Sequence, residues 1–247
     1  MFLKNVAPGI HLIQSHNVNC YLLEDDQGLT LVDAGLPRVW NELGHAIREL
    51  GRAPADLKAL VLTHAHFDHV GVAAKLVERL DIPVYAHHQE VTLAAHPYRY
   101  AHENPAAAYP LRHPRAIPVL LSMVFGGAAA VKGVTVSQPL EAGQEVPVPG
   151  RPRVVLSAGH TYGHCALHMP QSDALITGDA LVTLDPYTAL TGPRIVAKAA
   201  TADSAMAMES LRALAQTGAT VVLPGHGDPW LRGVEQAADE ARRRGVA

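Results

Sequence analysis

The segment THAHFDHVG (63–71) constrains the fold of this chain more than any other part of its sequence. It holds three histidines and an aspartate within six positions. The short apolar run before it, KALVLT (58–63), is typical of a buried strand, and the apolar spacing of VAAKLVERL (72–80) after it indicates a helix. The histidine-rich segment is therefore predicted to be the loop that joins a strand to a helix.

Four side chains of this loop are candidate metal ligands. Residues two apart in an extended segment point to the same side, so His64 and His66 can direct their rings at one point. Asp68 and His69 lie where the chain turns into the helix and can face a neighbouring point. Imidazole and carboxylate groups bind zinc, iron or manganese. One tetrahedral ion that used all four groups would have no position left for a substrate. Two ions roughly 3.5–4 Å apart would use all four and leave room for one.

Three further candidate ligands follow predicted strands. His160, Asp179 and His226 lie in the sequences AGHTYGH, TGDA and PGHG, each just beyond the expected end of a strand and beside a glycine. Glycine at such a position lets the backbone approach a metal closely. Taken singly, each residue would more often be a capped loop histidine or a turn aspartate. Together with the histidine-rich loop, they predict one shared site.

The remaining histidines receive no such role. His164 is expected to be a supporting or structural residue, and His168 lies on a predicted strand. Five others are expected on helix and lid surfaces, from where one could still enter the pocket: His87, His88, His96, His102 and His113.

The rest of the chain alternates predicted strands and helices, which favours an α/β fold. Strands are predicted at 10–15, 18–24, 29–33, 58–63, 83–86, 134–138, 153–158, 165–169, 174–179 and 220–227. Helices are predicted at 39–50, 72–80 and 204–218 and at the C-terminus. The region 96–133, rich in His, Pro, Ala and aromatic residues, is the least regular and is predicted to be an insertion or lid. A chain of 247 residues that is 48% hydrophobic can bury a large core.

Two parts of the sequence resemble each other. CYLL, a polar turn and LTLVDA (20–34) parallel CALH, a polar turn and ALITGDA (165–180). Each is followed by a helical stretch and a strand that leads to a histidine, His64 or His226. If the halves are related, residues 1–247 form a single domain of two pseudo-duplicated sheets with helices outside. The site then lies where the strand ends of both halves meet.

Composition limits the partners. The net charge of −3 gives no general attraction to nucleic acid or to an anionic membrane. Cys20 and Cys165 are too few to suggest a disulfide framework and are expected to be packed thiols. The N-terminal segment lacks the apolar core of a signal peptide, and no stretch is long enough to span a membrane, so a cytoplasmic location is expected.

The motifs HAHFDH, GHTYGH, TGDA and PGHG, in this order and spacing, resemble those of the metallo-β-lactamase-fold superfamily of metallohydrolases. The resemblance extends from VNCYLLE near the N-terminus to the PGHG loop. It implies an α/β fold, a four-layer αββα sandwich of two mixed β-sheets with outer helices. It also implies two ligand sets: His64, His66 and His160 for one divalent ion, and Asp68, His69 and His226 for a second. Asp179 would bridge the ions, and Asp33 would support the metal loop.

The resemblance further implies a hydrolase in which a hydroxide between two ions, most simply zinc with iron or manganese as alternatives, attacks a carbonyl. Asp68 would orient this nucleophile or pass on its proton. Tyr162 and Tyr187 are candidate donors to the carbonyl oxygen, although ordinary packing is the other interpretation of both.

The favoured substrates are a narrower class than the substrates of the superfamily as a whole. A lactone, ester or thioester is favoured, and HAHFDH is similar to the core of compact lactonases, although Gly71-Val72 replaces their two glycines. A mononuclear iron persulfide dioxygenase is the alternative; a β-lactamase or phosphodiesterase is less favoured. The expected partner is a small molecule with an apolar group. The apolar end of the insertion, at 117–125, is expected either to contact this group or to pack on the rest of the fold. A homodimer is left open.

Overall fold

A seven-stranded sheet forms the first half of the fold in the computed structural model, which describes all 247 residues. Its strands lie side by side in chain order: β1 Phe2–Ala7, β2 Ile10–Ser15, β3 Val18–Asp25, β4 Gly28–Val32, β5 Leu57–Val61, β6 Val84–His87 and β7 Gln138–Leu140. The first four strands pair antiparallel, and β4 to β7 pair parallel.

A four-stranded sheet forms the second half. Its strands are β8 Arg153–Leu156, β9 Cys165–Met169, β10 Ala174–Gly178 and β13 Val221–Pro224, in the order β13-β10-β9-β8. The pair β10–β13 is parallel and the other pairs are antiparallel. Two further strands, β11 Val182–Leu184 and β12 Thr191–Arg194, form a separate antiparallel pair.

The chain forms seven α-helices: α1 Val39–Glu49, α2 Ala73–Leu80, α3 Val91–Ala95, α4 Tyr109–Arg112, α5 Ile117–Phe125, α6 Ser204–Ala215 and α7 Val234–Arg244. None of them has the length and apolar character needed to cross a membrane.

Alternating strand residues face different cores, because successive side chains on a strand point to opposite faces. On β3, Leu22 packs in the core beneath α1 and α2, whereas Leu23 packs in the core between the two sheets. On β10, Ile176 belongs to that middle core, and Leu175 belongs to a third core beneath α6 and α7. Three apolar cores thus separate four layers, and the predicted αββα sandwich of two mixed sheets is confirmed.

The same pairing occurs in both sheets. The series β2-β3-β4-β5 runs antiparallel, antiparallel, parallel, and so does the series β8-β9-β10-β13. Helix α1 connects β4 to β5, and α6 lies in the matching connection from β10 to β13. A single domain of two related halves stays our interpretation of this repeat.

The predicted insertion differs from expectation. Much of 96–133 is helical, in α4, α5 and short turns, rather than irregular. Only Met123 of α5 is buried, while Ile117, Leu121, Val124 and Phe125 are exposed, so packing on the sandwich accounts for one face of this helix alone.

The predicted strand at 134–138 is wrong in its bounds. Only its last residue begins the paired strand β7. The apolar alternation of this segment has another origin: Val134 is buried in the core beneath the first sheet, and its amide donates to the carbonyl of Ala94. The strand β1 was not predicted, because its exposed Leu3, Lys4 and Asn5 hide the alternation of an edge strand.

Candidate metal centre

The ends of four strands deliver the seven predicted ligands to one place. The loop after β5 carries His64, His66, Asp68 and His69, and the other ligands follow the remaining strands: His160 after β8, Asp179 directly after β10, and His226 after β13. All seven side chains are buried, none with more than 5% of its surface exposed. The two sheets therefore both contribute to the cluster.

Asp179 lies at the centre of the cluster. Its Oδ2 is 3.2 Å from Nε2 of His226, 3.5 Å from Nε2 of His160 and 4.0 Å from Nε2 of His64. Its Oδ1 is 3.6 Å from Nε2 of His69. One carboxylate thus faces four imidazoles. The chain passes Asp179 so closely that a Cβ at Gly225 would lie 2.1 Å from Oδ1, which explains the need for glycine there.

The side chains around Asp179 form two groups of three. His64, His66 and His160 bring one potential ligand atom each within 4.8 Å of one another, and Nδ1 of His66 is 3.0 Å from Nε2 of His160. The second group obeys the same limit: Asp68, His69 and His226. These are the two sets that the motif resemblance implies. A third set within the same limit, Asp33, His64 and His69, overlaps both.

Hydrogen bonds on the outer ring nitrogens turn three imidazoles inward. Nδ1 of His64 is 3.0 Å from the hydroxyl of Thr63, Nδ1 of His69 is 3.0 Å from a carboxylate oxygen of Asp33, and Nδ1 of His226 is 2.6 Å from the carbonyl oxygen of Asn17. When Nδ1–H donates outward, Nε2 keeps its lone pair. A histidine that binds a metal is oriented in this way.

The inward atoms fit a cation. Nε2 of His64, His69 and His226 and Oδ1 of Asp179 are buried and have no hydrogen-bond partner. Buried polar atoms are nearly always paired, so four unpaired polar atoms in one cluster need an explanation. Divalent metal ions bound by imidazole and carboxylate would satisfy them all.

Burial and neighbouring charges set the protonation of the cluster. Burial lowers the pKa of His66 to about 4 and holds the pKa values of His64 and His160 well below the usual range. These three rings are therefore neutral at pH 7, as metal ligands must be. Burial also opposes the charge of His226, but Asp179 and Asp68 raise its pKa to about 10.

Asp33 supports the histidine-rich loop. It follows β4 in a left-handed backbone conformation (φ 59°) and is buried. One carboxylate oxygen accepts the Thr63 amide at 2.8 Å; the other accepts the Thr63 hydroxyl at 2.8 Å and faces Nδ1 of His69 at 3.0 Å. Both oxygens are thus engaged with the loop rather than directed at the centre of the cluster.

His164 also supports the cluster. Its Nδ1 is 2.8 Å from the hydroxyl of Ser157, and its Nε2 accepts the backbone amide of Asp179 at 3.0 Å. Burial lowers its pKa to about 3, so the ring is neutral and can accept that amide. His164 fixes the backbone of the central carboxylate.

Polar side chains of β3 hold the loop that carries His226, a role that sequence reasoning missed. Nδ2 of Asn19 donates to the carbonyls of Pro224 and Gly227, and the Tyr21 hydroxyl donates to that of Pro224 at 2.7 Å. The signal would have been a polar asparagine inside the otherwise apolar strand VNCYLLE.

The two candidate tyrosines differ in position. Tyr162 is 49% exposed and makes no side-chain hydrogen bond or ring contact with the cluster, so the structure does not bring it to the site. Its loop directs it outward although His160 and His164 on either side point inward. Burial raises the pKa of Tyr187 well above its usual value, and the nearby Tyr100 and Asp68 raise it further. Tyr187 is therefore a neutral phenol, and it packs against the same small core as Tyr100, whose ring lies against His66.

Tyr100 is a site residue that sequence reasoning missed. Its ring centroid is 4.4 Å from that of His66, and the neighbouring Phe67 stacks on Tyr98 at 5.5 Å. Both tyrosines belong to the predicted insertion, so this segment covers the histidine-rich loop with aromatic rings. The repeated aromatic residues in HPYRYAH were the available signal.

Other sequence expectations concern residues outside the cluster. Cys20 and Cys165 are buried free thiols, and burial raises the pKa of Cys165 to about 12, so neither is poised as a nucleophile. His168 lies on β9 as expected. His87 differs: it ends β6 and is buried rather than exposed, with its ring against that of His88.

We expect Tyr187→Phe to lower kcat for hydrolysis about 100- to 1,000-fold, the effect of removing one donor to a developing oxyanion. Tyr162→Phe should change kcat less than about twofold, because that hydroxyl faces solvent. Steady-state kinetics of both variants at equal metal content provide the measurement. Equal losses in the two variants would remove Tyr187 from the site.

Comparison with known proteins leads to the same superfamily as the motifs. A family model described as the metallo-beta-lactamase superfamily matches residues 15–226. The probable metallo-hydrolase YflN of Bacillus subtilis (strain 168) is 28% identical over 241 residues, which cover 90% of this chain and 85% of that protein. A hydroxyacylglutathione hydrolase of Synechococcus sp. (strain JA-3-3Ab) is 31% identical over 167 residues, or 65% of this chain and 48% of that protein.

Solved structures agree. The metallo-beta-lactamase family protein TTHA1429 from Thermus thermophilus superposes with a TM-score of 0.70 at 28% identity, covering 96% of this chain and 79% of that one. TTHA1623 in a di-iron-bound form gives 0.65 at 28% identity, covering 91% and 95%. The motifs, the four-layer fold and the matched family model lead to one conclusion: this chain belongs to the metallo-beta-lactamase superfamily.

Proposed function

We propose that this protein is a two-metal hydrolase that cleaves a lactone, ester or thioester. The observation that carries the proposal is the pair of ligand groups joined by Asp179 at the meeting point of both sheets. A single ion would use His64, His66 and His160 and would leave the second group, with its unpaired Nε2 atoms, unexplained.

The donor set indicates the ions. Imidazoles with two carboxylates suit zinc, and the same groups also bind iron or manganese. Two divalent ions, when bound, acidify a water molecule and polarise the carbonyl oxygen of the substrate. Zinc is our first choice, and the di-iron form of TTHA1623 supports iron as the alternative.

The protein's own groups orient the reactants. Asp68 lies in the second ligand group, with one carboxylate oxygen 3.3 Å from Nε2 of His226, and from there it orients the attacking water and accepts its proton. Tyr187 donates to the carbonyl oxygen that gains charge. The ring of Tyr100 lies against His66, Phe67 and Tyr98 pack beside it, and together these rings contact an apolar group of the substrate.

The thioester and lactone versions have different support. Similarity to the Synechococcus hydroxyacylglutathione hydrolase supports a thioester, and it covers 48% of that protein. The HAHFDH motif with its apolar Phe67 supports a lactone. In both reactions the same residues act on a carbonyl group, and only the leaving group differs. We therefore propose the class of carbonyl esters, and the assay identifies the leaving group.

The proposal is tested with a substrate panel on protein whose metal content has been measured. Lactones, thioesters, β-lactams and phosphodiesters are offered with and without oxygen, and His66→Ala provides the background rate. We expect two ions per chain and hydrolysis of a carbonyl ester that does not depend on oxygen. One iron per chain, with oxygen uptake on a persulfide, would replace the hydrolase by a dioxygenase.

Removing the metal is expected to abolish hydrolysis and to lower the melting temperature by roughly 8 °C or more. Ligand present at about 1,000 times its Kd stabilises a protein by about 4 kcal/mol, and each kcal/mol shifts a chain of this size by about 2–4 °C. Differential scanning fluorimetry with a chelator, then with zinc restored, measures the change in melting, and the substrate panel measures the change in activity. Unchanged melting and unchanged activity after verified metal loss would contradict the proposal.

A further inference from the structure

Glu90 is a buried carboxylate that neither the motifs nor the proposed mechanism uses. It ends the short helical turn His88–Glu90 after β6, and only 1% of its surface is exposed. No lysine, arginine or histidine forms an ion pair with it. A buried charge without a cationic partner is costly unless hydrogen bonds compensate it, so its contacts need a reason.

Two backbone amides satisfy Glu90. Its Oε2 accepts the amide of Ala65 at 2.9 Å, and its Oε1 accepts the amide of Gly163 at 2.9 Å. Ala65 lies between His64 and His66, and Gly163 lies in the loop that carries His160. These loops follow β5 and β8, which belong to different sheets. One carboxylate therefore links the loops that supply all three imidazoles of the first ligand group.

The fit around this carboxylate is close. A Cβ at Gly163 would lie 2.8 Å from Oε1 and 2.9 Å from Cγ of Glu90, so even alanine would displace the side chain. A glutamine has the same shape but only one oxygen, and its NH2 group would meet one of the two amides donor to donor. An ionised carboxylate accepts both amides, whereas glutamine accepts only one.

We propose that Glu90 is a positioning residue that sets the spacing of His64, His66 and His160 and thereby the affinity for the ion they hold. The role rests on the metal centre of the proposed function, but it does not depend on which ester is hydrolysed. Groups that orient metal ligands without touching the metal typically contribute about 10- to 100-fold to affinity.

The test titrates metal-free protein with zinc in competition with a chromophoric chelator. Wild-type protein should show two tight binding steps. Glu90→Gln should weaken one step at least about 10-fold and leave the other within about twofold. In a His226→Ala background, where the second ligand group is incomplete, Glu90→Gln should still weaken the step that belongs to the first ligand group. Circular dichroism of each metal-free variant verifies that it is folded.

Asp25→Asn is the matched control. Asp25 also accepts two backbone amides, those of Gln27 and Gly150. It lies at the C-terminal end of β3, whereas Asn19, which holds the His226 loop, lies at the other end. It loses the same charge in the same kind of contact, so both zinc affinities should stay at the wild-type values. A loss that Asp25→Asn reproduces would reduce Glu90 to a general structural role.

A second variant keeps the inference testable if Glu90→Gln fails to fold. Gly163→Ala retains the carboxylate and displaces it, so it should weaken the same step. Wild-type binding of both ions by Glu90→Gln and by Gly163→Ala would overturn the role of Glu90 alone. A wild-type protein without two tight steps would instead overturn the proposed function, and the inference with it.

Discussion

Replacing Asp179 with asparagine is expected to lower kcat/KM for hydrolysis at least about 1,000-fold, or about 4 kcal/mol of transition-state stabilisation. Asp179 is the one side chain whose carboxylate faces imidazoles of both ligand groups, with Oδ1 toward His69 and Oδ2 toward His64, His160 and His226. Asparagine keeps the shape but offers a cation only one oxygen. The variant should therefore lose the link between the two groups while each keeps three ligands.

The control for this variant is Asp173→Asn. Asp173 precedes β10 as Asp179 follows it, and it accepts the amide of Thr220 at 3.0 Å at the far end of the strand. Its loss should leave kcat/KM within about twofold. Metal content is measured on both variants. An Asp179→Asn protein with near wild-type activity would mean that the central carboxylate has no part in the chemistry.

Replacing Asp33 with alanine is expected to lower the free energy of unfolding by about 3 kcal/mol and the melting temperature by about 6–12 °C. The change leaves the buried amide and hydroxyl of Thr63 and Nδ1 of His69 without their acceptor. Alanine also tolerates the left-handed backbone at this position poorly. Because His69 loses its orientation, the ion held with Asp68 and His226 should bind at least about 10-fold more weakly.

Asp33→Asn separates the two causes. Asparagine adopts the left-handed conformation readily and can still accept the Thr63 amide, so it should be less destabilised than Asp33→Ala. Its NH2 group would face the Thr63 hydroxyl and His69, so the loss of metal affinity should remain. Urea unfolding and zinc competition measure the two effects. Wild-type stability and affinity in Asp33→Ala would show that the loop needs no support from β4.

The ligand positions were predictable because each is encoded locally. A strand, a turn and a ligand lie within a few residues of one another at His64, Asp179 and His226, so the chain order alone places each ligand at a strand end. The four-layer architecture came from the resemblance of the motifs to a known fold and from the internal repeat, which predicted two sheets with helices outside. Alternating apolar residues on β3 and β10 agree with it, since each strand faces two cores.

The missed features depend on contacts between distant parts of the chain. Glu90 and Tyr100 lie in segments without a motif, and their roles appear only when those segments fold over the histidine-rich loop. The apolar residues at 134–138 suggested a strand, but Val134 is buried in the core beneath the first sheet without being part of a strand. The candidate donor Tyr162 is exposed, since a position between two inward histidines does not fix the direction of a loop side chain.

The number and place of the bound ions test the two-metal centre most directly. Anomalous diffraction from crystals grown with excess zinc, collected on both sides of the zinc absorption edge, locates them. We expect two peaks about 3.5–4 Å apart, one within His64, His66 and His160 and one within the second ligand group, with Asp179 between them. A single peak at full zinc occupancy, or peaks away from these side chains, would contradict the two-metal centre.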